Sequence, residues 1–264
     1  MEVALRIGTM LRATKKVKRG IGTIREDINI SLPGGNRTEI KGAQELRLLP
    51  VYVENEVQRH EMLIRIKDML LSRNASVCEE VTDVTDIFKG CQSKVVGSAV
   101  SGGGKVLAVK LCGFAGVLND GGKLRLGAEM AQLARTKAGV KGIFHSDELP
   151  AYGIEQDHVD KVREHLILTG DDAFVLCAEK EEKAGTALEA VTERAKEALL
   201  YVPEETRDPQ PDGTSRYMRP LPGAARMYPE TDVPPVLLTE SYADYVHVAE
   251  AGAFDPEWEA KSEY

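Results

Sequence analysis

The sequence of 264 residues has few cysteines, and they lie far apart, at Cys78, Cys91, Cys112 and Cys177. None belongs to a CxxC pair or has a neighbouring histidine, which argues against a zinc motif and a disulfide framework. The five histidines are scattered too, and no Ser/His/Asp or Cys/His arrangement is legible in the order of residues. We therefore expect the cysteines to be small buried residues in a reducing compartment.

Long apolar runs are also missing. A membrane-spanning helix needs roughly eighteen or more consecutive apolar residues, and no such run occurs. The N-terminal stretch MEVALRIGTMLRATKKVKRG places its basic residues after its apolar ones, the reverse of a secretory signal peptide. The sequence therefore predicts a cytoplasmic protein.

Charge is present in both signs but unevenly distributed, with a formal net charge of −8 at pH 7. Residues 1–25 hold seven Lys or Arg against one acid, whereas residues 229–264 hold nine acids against one lysine. A basic N-terminal segment can meet phosphates while the acidic remainder keeps the chain soluble. An ordinary charged terminal segment fits the same composition.

Composition and patterning divide the chain into four segments. Residues 1–78 combine a hairpin pattern with a long amphipathic helical pattern, in which Pro50 marks either the first turn or a kink. Alternating strands and helices in 79–205 predict an α+β module. Residues 206–240 are rich in Pro and Gly and predict irregular structure, and the acidic 241–264 predict partial disorder.

Within the second segment, SKVVGSAV and KVLAVKLCGF are interpreted as β-strands joined by the glycines of SGGG. SGGGK does not match the phosphate-loop pattern, because Ala99 and Val106 stand where that pattern needs Gly and Ser or Thr. A flexible hairpin tip is the interpretation we favour. Helical patterns follow in RLGAEMAQLARTKAG, EQDHVDKVREHLIL and TALEAVTERAKEALLYV, with a strand in DDAFVLCAEKE.

The most informative stretch is GTIREDINISLPGGNRTEIKG, two alternating runs around a Pro-Gly-Gly turn. Side chains alternate faces along a strand, so an antiparallel register brings Glu39 close to Asn29 and diagonal to Asp27. Two carboxylates and an amide oxygen, with Arg and Lys beside them, could hold Mg²⁺ and a phosphate. From the pattern alone we favour an amphipathic hairpin whose polar face meets water.

A second polar stretch, RYMRPLPGAARMYPETD, carries Arg216, Arg219 and Arg226 beside Tyr217 and Tyr228. Arginine suits phosphate recognition because its planar fork makes bidentate contacts, and tyrosine can stack on bases. A structured loop whose arginines pair with neighbouring acids is equally consistent with the sequence.

The blocks RGIGTIREDINISLPGGNRTEIKGAQEL and PLPGAARMYPETDVPP resemble the archaeal glutamyl-tRNA(Gln) amidotransferase family GatE, whose members are relatives of the bacterial B subunit (GatB). Residues 125–199 are similar to the insertion domain that this family shares with bacterial-type aspartyl-tRNA synthetases. The resemblance covers nearly all of residues 5–240. It implies a cradle-type β-rich domain, formed by 1–78 and 206–240, that is interrupted by the α+β insertion module at 79–205.

The resemblance also implies an activity. The family converts glutamate mischarged on the glutamine tRNA into glutamine: ATP and Mg²⁺ serve to phosphorylate the γ-carboxylate, and ammonia from an asparaginase-like partner, GatD, displaces the phosphate. The positions matching its metal-binding acids are Asp27 and Glu39. From charge and position we expect Arg25, Lys41 and Arg226 to bind phosphate or the substrate carboxylate. The residues expected to bind the substrate Glu-tRNA(Gln) are Lys15, Lys16, Lys18, Arg19 and Arg219.

Members of the resembling family are longer than this chain. We therefore expect further metal ligands, and the domains that bind the body of the tRNA, to lie outside it. The alternative to part of an ATP-dependent ligase is a truncated, non-catalytic module that binds tRNA or a partner protein of the complex.

Overall fold

Two β-sheets and the helices packed on them form the part of the chain that the computed structural model describes, residues 1–20, 22–120 and 122–221. This architecture confirms the predicted α+β class. The strands are β1 (Glu26–Ile30), β2 (Thr38–Ala43), β3 (Ser76–Val77), β4 (Thr82–Asp83), β5 (Lys105–Cys112), β6 (Phe144–His145), β7 (Ala173–Glu179), β8 (Glu205–Pro209) and β9 (Ser215–Pro220). The α-helices are α1 (Glu2–Ala13), α2 (Leu49–Ser72), α3 (Lys94–Ser101), α4 (Leu126–Ala138), α5 (Gln156–His165) and α6 (Glu181–Leu200). Short 3-10 helices cover Leu46–Leu48, Thr85–Phe88, Gly122–Leu124 and Ser146–Glu148.

The first sheet has the strand order β1-β2-β8-β9. β1 and β2 are antiparallel, β2 and β8 are parallel, and β8 and β9 form a second antiparallel pair. A parallel pair requires a crossover connection, and here the chain between β2 and β8 contains the whole second sheet. The two ends of the described chain therefore build one sheet around a long excursion.

The prediction of irregular structure for residues 206–240 is wrong at its start, because β8 and β9 occupy residues 205–220. The residues that suggested a loop lie where strands tolerate them. Pro209 and Pro220 end their strands, and Gly213 turns between them with a φ of +83°. Residues 222–240 lie outside the described part.

The second sheet has the order β3-β5-β7-β6, with β4 also paired to β5, and every pair is antiparallel. Its longest strands, β5 and β7, fall where apolar runs predict them. The prediction of a strand in SKVVGSAV is wrong, since Lys94–Ser101 forms α3. Val96 and Val100, four residues apart, pack into one core cluster, so helical spacing overrides the β-propensity of valine.

The glycines after α3 do not form a hairpin tip. Gly102 ends the helix, and the chain passes directly into β5. A Cβ on Gly104 would lie 2.8 Å from the carbonyl oxygens of both Ala99 and Glu179, so the backbone packs there without room for a side chain. Close packing of backbone, rather than a flexible turn, accounts for the glycine at position 104.

The largest core cluster lies between the second sheet and α2, α4 and α6. It joins Ile66 and Leu70 of α2 to Val109, Val175 and Leu188, all fully buried. The long helix predicted in the first segment thus shares a core with the segment from 79 to 205, and the domain boundary at residue 78 stays a prediction. Pro50 lies in the first turn of α2, one of its two predicted places.

A smaller core cluster lies under the first sheet, where Ile30, Ile40 and Ala43 pack against Leu49 and Tyr52 of α2. The apolar face of the hairpin therefore points inward, and its polar face points away from α2. Within the described residues, no helix combines the length and apolar character that a membrane crossing requires.

Candidate functional site: the polar face of the first sheet

The hairpin of β1 and β2 has the register that its alternation predicts. Asn29 pairs with Glu39, while the neighbouring Ile28 and Ile40 pair on the opposite face. Ile40 is fully buried and Asn29 is exposed, so apolar side chains face the core and polar ones face outward. The expected polar face is present.

A bulge holds Asp27 on this face. The register between the two strands shifts between Glu26 and Ile28, and Gly42 has a φ of +81°, a conformation that favours glycine. The Gly42 N–H donates a hydrogen bond of 2.8 Å to Asp27 Oδ1, and Lys41 Nζ lies 3.2 Å from Asp27 Oδ2. Asp27 and Lys41, both predicted site residues, are therefore in contact.

Glu39 is half-buried and has a partner from a distant part of the chain. The hydroxyl of Thr206, on β8, donates a hydrogen bond of 3.1 Å to Glu39 Oε2. Arg219 of β9 is the register partner of Thr206, so this predicted tRNA-binding residue lies in the same sheet as Glu39. Thr206 has no signal in the sequence, because no local pattern links positions 167 residues apart.

Of the other two cations predicted at the phosphate site, Arg25 lies within the described residues and Arg226 does not. Arg25 is exposed directly before β1, and a Cβ on Gly42 would lie 3.7 Å from its Cδ. No residue in the described ranges forms an ion pair with Arg25, so its charge is available to a ligand. Arg226 lies outside the described residues.

The predicted tRNA-binding segment follows α1. Its basic residues are Lys15, Lys16, Lys18 and Arg19, all exposed. None of the four has a carboxylate within salt-bridge distance in the part of the chain that is described. Within the described residues these cations therefore form a strip of positive charge without paired acids, in a chain that is acidic as a whole.

Beneath the sheet lies a network of buried charges that sequence patterns did not predict. Its members, at most 5% exposed, are Glu56, Arg59, Glu129, Arg194, Glu205 and Arg207. Arg59 is central: its guanidinium lies 2.7 Å from Glu56, 2.5 Å from Glu129 and 2.6 Å from Glu205. Arg194 adds a contact of 2.7 Å to Glu205, and Arg207 is also paired with Glu205.

Electrostatics keep the network charged. Burial by itself would raise the pKa of Glu56, but the guanidinium of Arg59 and a hydrogen bond with His60 hold it well below its ordinary value. Burial would likewise raise the pKa of Glu129, yet the nearby arginines lower it to about 2. Burial would lower the pKa of Arg59, whereas Glu129 and Glu56 raise it above its ordinary value. Opposite charges thus offset the cost of desolvation.

The network acts on the strands that carry the polar face. Glu205 and Arg207 lie on either side of Thr206 in β8, and Thr206, itself fully buried, contacts Glu39 on the opposite face of the strand. Thr38, next to Glu39, has its hydroxyl 2.9 Å from Nε2 of a buried histidine of α2. Because neighbouring side chains of a strand face opposite ways, the inward residues fix the positions of the outward ones.

Nearly the whole chain matches one protein family. A family model described as the GatB/GatE catalytic domain covers residues 1–244. The chain belongs to this family. Its polar hairpin, its crossover through a second sheet and its return strand β8 are therefore features of a GatB/GatE catalytic domain chain.

Curated relatives agree with the family model. The E subunit of glutamyl-tRNA(Gln) amidotransferase from Methanocaldococcus jannaschii is 52% identical over 249 residues, which cover 93% of this chain and 39% of the relative. The E subunits of the same enzyme from Pyrococcus furiosus and Thermococcus sibiricus are each 55% identical over 244 residues, or 90% of this chain and 38% of each relative. This GatB/GatE chain thus spans about two fifths of the length of the curated relatives it matches.

The polar side chains of the first sheet can be compared with the ligands that Mg²⁺ and a nucleotide phosphate require. Mg²⁺ takes oxygen ligands, commonly one or two carboxylates completed by substrate phosphates and water. Asp27 and Glu39 provide two carboxylates on one sheet face, with the cations Lys41 and Arg25 beside them. Among the described residues, no group of three or more acidic, histidine or cysteine side chains has metal-site geometry. The donors fit Mg²⁺ in kind, and a phosphate-bearing ligand would have to complete the site.

Proposed function

We propose that this chain is part of a tRNA-dependent amidotransferase that converts Glu-tRNA(Gln) into Gln-tRNA(Gln). The polar face of β1 and β2 would be its site of ATP-dependent phosphorylation. The observation that carries the proposal is the register pairing of Asn29 with Glu39 beside the bulge that holds Asp27, in a chain of this family. A location in the cytoplasm, where translation takes place, is part of the same proposal.

The chemistry explains the residue types. A carboxylate becomes a good electrophile only when one of its oxygens is turned into a leaving group, and phosphorylation does this. Mg²⁺, when bound, neutralises phosphate charge and orients the transferred group. Asp27 and Glu39 would hold the ion, and Lys41 lies close enough to Asp27 to bind an oxygen of the same phosphate. Arg25 and Arg226 are proposed to bind phosphate or the substrate carboxylate.

The hydrogen bonds of the acids suit this role. Gly42 N–H and Thr206 Oγ1 each donate to one oxygen of their carboxylate, Asp27 or Glu39. These bonds fix the orientation of each carboxylate, and they use only part of its capacity to accept hydrogen bonds or bind a metal. A ligand can therefore be bound without dismantling the local structure.

The amidation half-reaction and the tRNA require partners. We propose that ammonia comes from the asparaginase-like partner GatD and displaces the phosphate from the activated glutamyl group. The exposed basic segment after α1, together with Arg219, would bind phosphates of Glu-tRNA(Gln). Contacts of this kind weaken steeply as salt is raised, because binding releases counterions from the RNA.

The test substitutes Asp27→Asn and Glu39→Gln separately in the full-length protein, assembled with GatD. Each change removes one negative charge and keeps the shape of the side chain. We expect Gln-tRNA(Gln) formation and tRNA-dependent release of phosphate from ATP to fall by at least about a hundredfold, comparable to the loss of one strong electrostatic contact in a transition state. Binding of Glu-tRNA(Gln) should change little.

Matched controls are Asp68→Asn and Glu61→Gln, which alter exposed acids on α2. Both should keep normal activity. Normal amidation by the Asp27 and Glu39 variants would show that the polar face is not the phosphorylation site.

A second function, a non-catalytic tRNA-binding module, is favoured by the four basic residues after α1 that lack salt bridges within the described chain. Mixing the full-length protein with Glu-tRNA(Gln), ATP and Mg²⁺ separates the two. Release of phosphate supports the ligase, whereas salt-sensitive tRNA binding without phosphate release supports the binding module.

A further inference from the structure

A cavity lies in the segment from 79 to 205, apart from the polar face of the first sheet. It is an open cleft of about 750 Å³ between α3, α4, the chain around β6 and the end of β7. Cavities of roughly 300–1,000 Å³ are the size range of small-molecule sites. Nothing in the proposed phosphorylation reaction uses this cleft.

The cleft is lined by more positive than negative charge. Its cations are Lys94, Arg125, Arg135, Lys141 and Lys180. Its carboxylates are Glu148 and Glu179. None of the five cations forms a salt bridge with an acid in the described ranges, in contrast to Lys105, Lys110, Lys137 and Lys161 of the same segment. In a chain of net charge −8, a cleft with this excess of cations attracts anions.

One of these cations has an unmet hydrogen-bonding requirement. Arg125, directly before α4, has a buried Nε with no hydrogen-bond partner among the described residues. Buried donors in native structures are generally satisfied by protein, water or ligand. An anion in the cleft would satisfy this donor best, because an anion such as phosphate can accept two parallel hydrogen bonds from a guanidinium.

The wall beside Arg125 is closely packed. A Cβ on Gly127 would lie 2.6 Å from Nε2 of His145 and 2.8 Å from the carbonyl oxygen of Leu118. Only glycine lets the buried imidazole lie against the first turn of α4. The cleft is thus bounded by fixed structure on this side.

Two aromatic rings line the same cleft. Phe144 and Tyr152 have ring centroids 5.7 Å apart at an interplanar angle of 46°, and Tyr152 is 60% exposed. Sites that bind single nucleotide units combine positive charge for the phosphate with aromatic faces on which the base stacks. An exposed tyrosine at the edge of a cationic cleft supplies the second of these two elements.

We propose that this cleft binds a nucleotide unit, with its phosphate held by the lining cations and its base placed against Phe144 and Tyr152. The same chemistry is offered by a free nucleotide and by a nucleotide within single-stranded RNA. The inference concerns a different surface from the proposed phosphorylation site, so neither depends on the other.

The test reverses two exposed cleft charges, Lys94→Glu with Lys141→Glu, in the full chain. The matched control is Lys161→Glu with Lys183→Glu, which gives the same net charge at exposed positions of α5 and α6 outside the cleft. Binding of AMP and of a short single-stranded RNA is measured by calorimetry at low salt. We expect the cleft variant to bind at least about tenfold more weakly than the control, as charged hydrogen bonds to phosphate would require.

A third variant, Tyr152→Ala, removes stacking without changing charge, and should weaken AMP and RNA binding but not the binding of inorganic phosphate. Loss of both AMP and RNA binding identifies a site for one nucleotide unit from either source. Loss of RNA binding alone identifies a strand as the ligand. If neither molecule binds the unaltered chain at low salt, or if cleft and control variants bind equally well, the proposal is wrong.

Discussion

Asp27 and Glu39 are each held by a hydrogen bond, one from within the hairpin and one from a distant strand. Asp27 depends on the bulge at Gly42, and Glu39 depends on the hydroxyl of Thr206. Thr206 contacts one oxygen of Glu39, and Gly42 and Lys41 each contact one oxygen of Asp27, so the rotation of both carboxylates is limited. At the residue scale, the site therefore includes the hydrogen-bond donors that orient Asp27 and Glu39 as well as the two acids.

We predict that Thr206→Val weakens the proposed reaction without unfolding the protein. Valine has nearly the same shape but cannot donate a hydrogen bond to Glu39, so the carboxylate loses its fixed orientation. Tyrosine and tryptophan fluorescence should report a folded full-length protein, with tRNA-dependent release of phosphate from ATP reduced about tenfold. Thr136→Val, an exposed position on α4, serves as the control, and equal activities of the two variants would contradict a positioning role for Thr206.

At the scale of helices and strands, the polar face is positioned by the buried charge network that joins α2, α4, α6 and β8. Arg59 binds a glutamate from each of α2, α4 and β8, so it joins three elements that are separate in sequence. A buried charge is costly unless it is paired. The same contacts that satisfy Arg59 therefore also specify how β8 meets α2.

We predict that Arg59→Met lowers the free energy of unfolding by about 3–5 kcal/mol, because it leaves buried carboxylates without their main partner. The matched change is Arg65→Met on the same helix, which removes an exposed salt bridge in which the guanidinium lies 2.7 Å from the carboxylate of Asp120. That change should cost about 0–1 kcal/mol, because solvent screens the pair. Urea unfolding of the full chain measures both, and equal losses would show that the network contributes no more than surface pairs.

The hairpin, α3 and β8 show why prediction from the sequence succeeded or failed at this scale. The hairpin β1–β2 is local and alternates over most of its length, so the pairing of Asn29 with Glu39 and the inward face could be predicted, whereas the bulge beside Asp27 could not. The helix α3 is short and rich in valine, and only its packing through Val96 and Val100 distinguishes it from a strand. The return strand β8 was missed because its partner β2 lies more than 150 residues away, where local patterns carry no information.

For the whole molecule, the buried acids make stability depend on pH. The pKa values of Glu56 and Glu129 are lowered in the folded chain, the second to about 2, while an unfolded glutamate titrates at about 4.3. Groups with a lowered folded pKa stabilise the protein fully above the unfolded value. That contribution disappears as the pH falls toward the folded value, because the unfolded chain then takes up more protons.

We predict that the free energy of unfolding falls slightly between pH 7 and about 5, because burial lowers the pKa of His145, and falls more steeply between about pH 4.5 and 2 as the buried glutamates take up protons. Glu197 acts in the opposite sense, because burial raises its pKa, and it offsets part of the fall. Chemical unfolding of the full chain at a series of pH values measures the profile. A stability that stayed constant down to pH 3 would mean that the buried carboxylates are not paired as described.

The sequence by itself determined the α+β class, the register of the hairpin and the two acids on its polar face. These depend on periodicity and on blocks of residues that are contiguous in the chain. Only the tertiary structure decided that β8 completes the sheet and that Thr206 bonds Glu39. It also decided that buried arginines and glutamates support the face from below. The reason is physical: alternation and helical spacing are local, whereas the pairing of β2 with β8 and the compensation of buried charge depend on contacts between residues far apart in the chain.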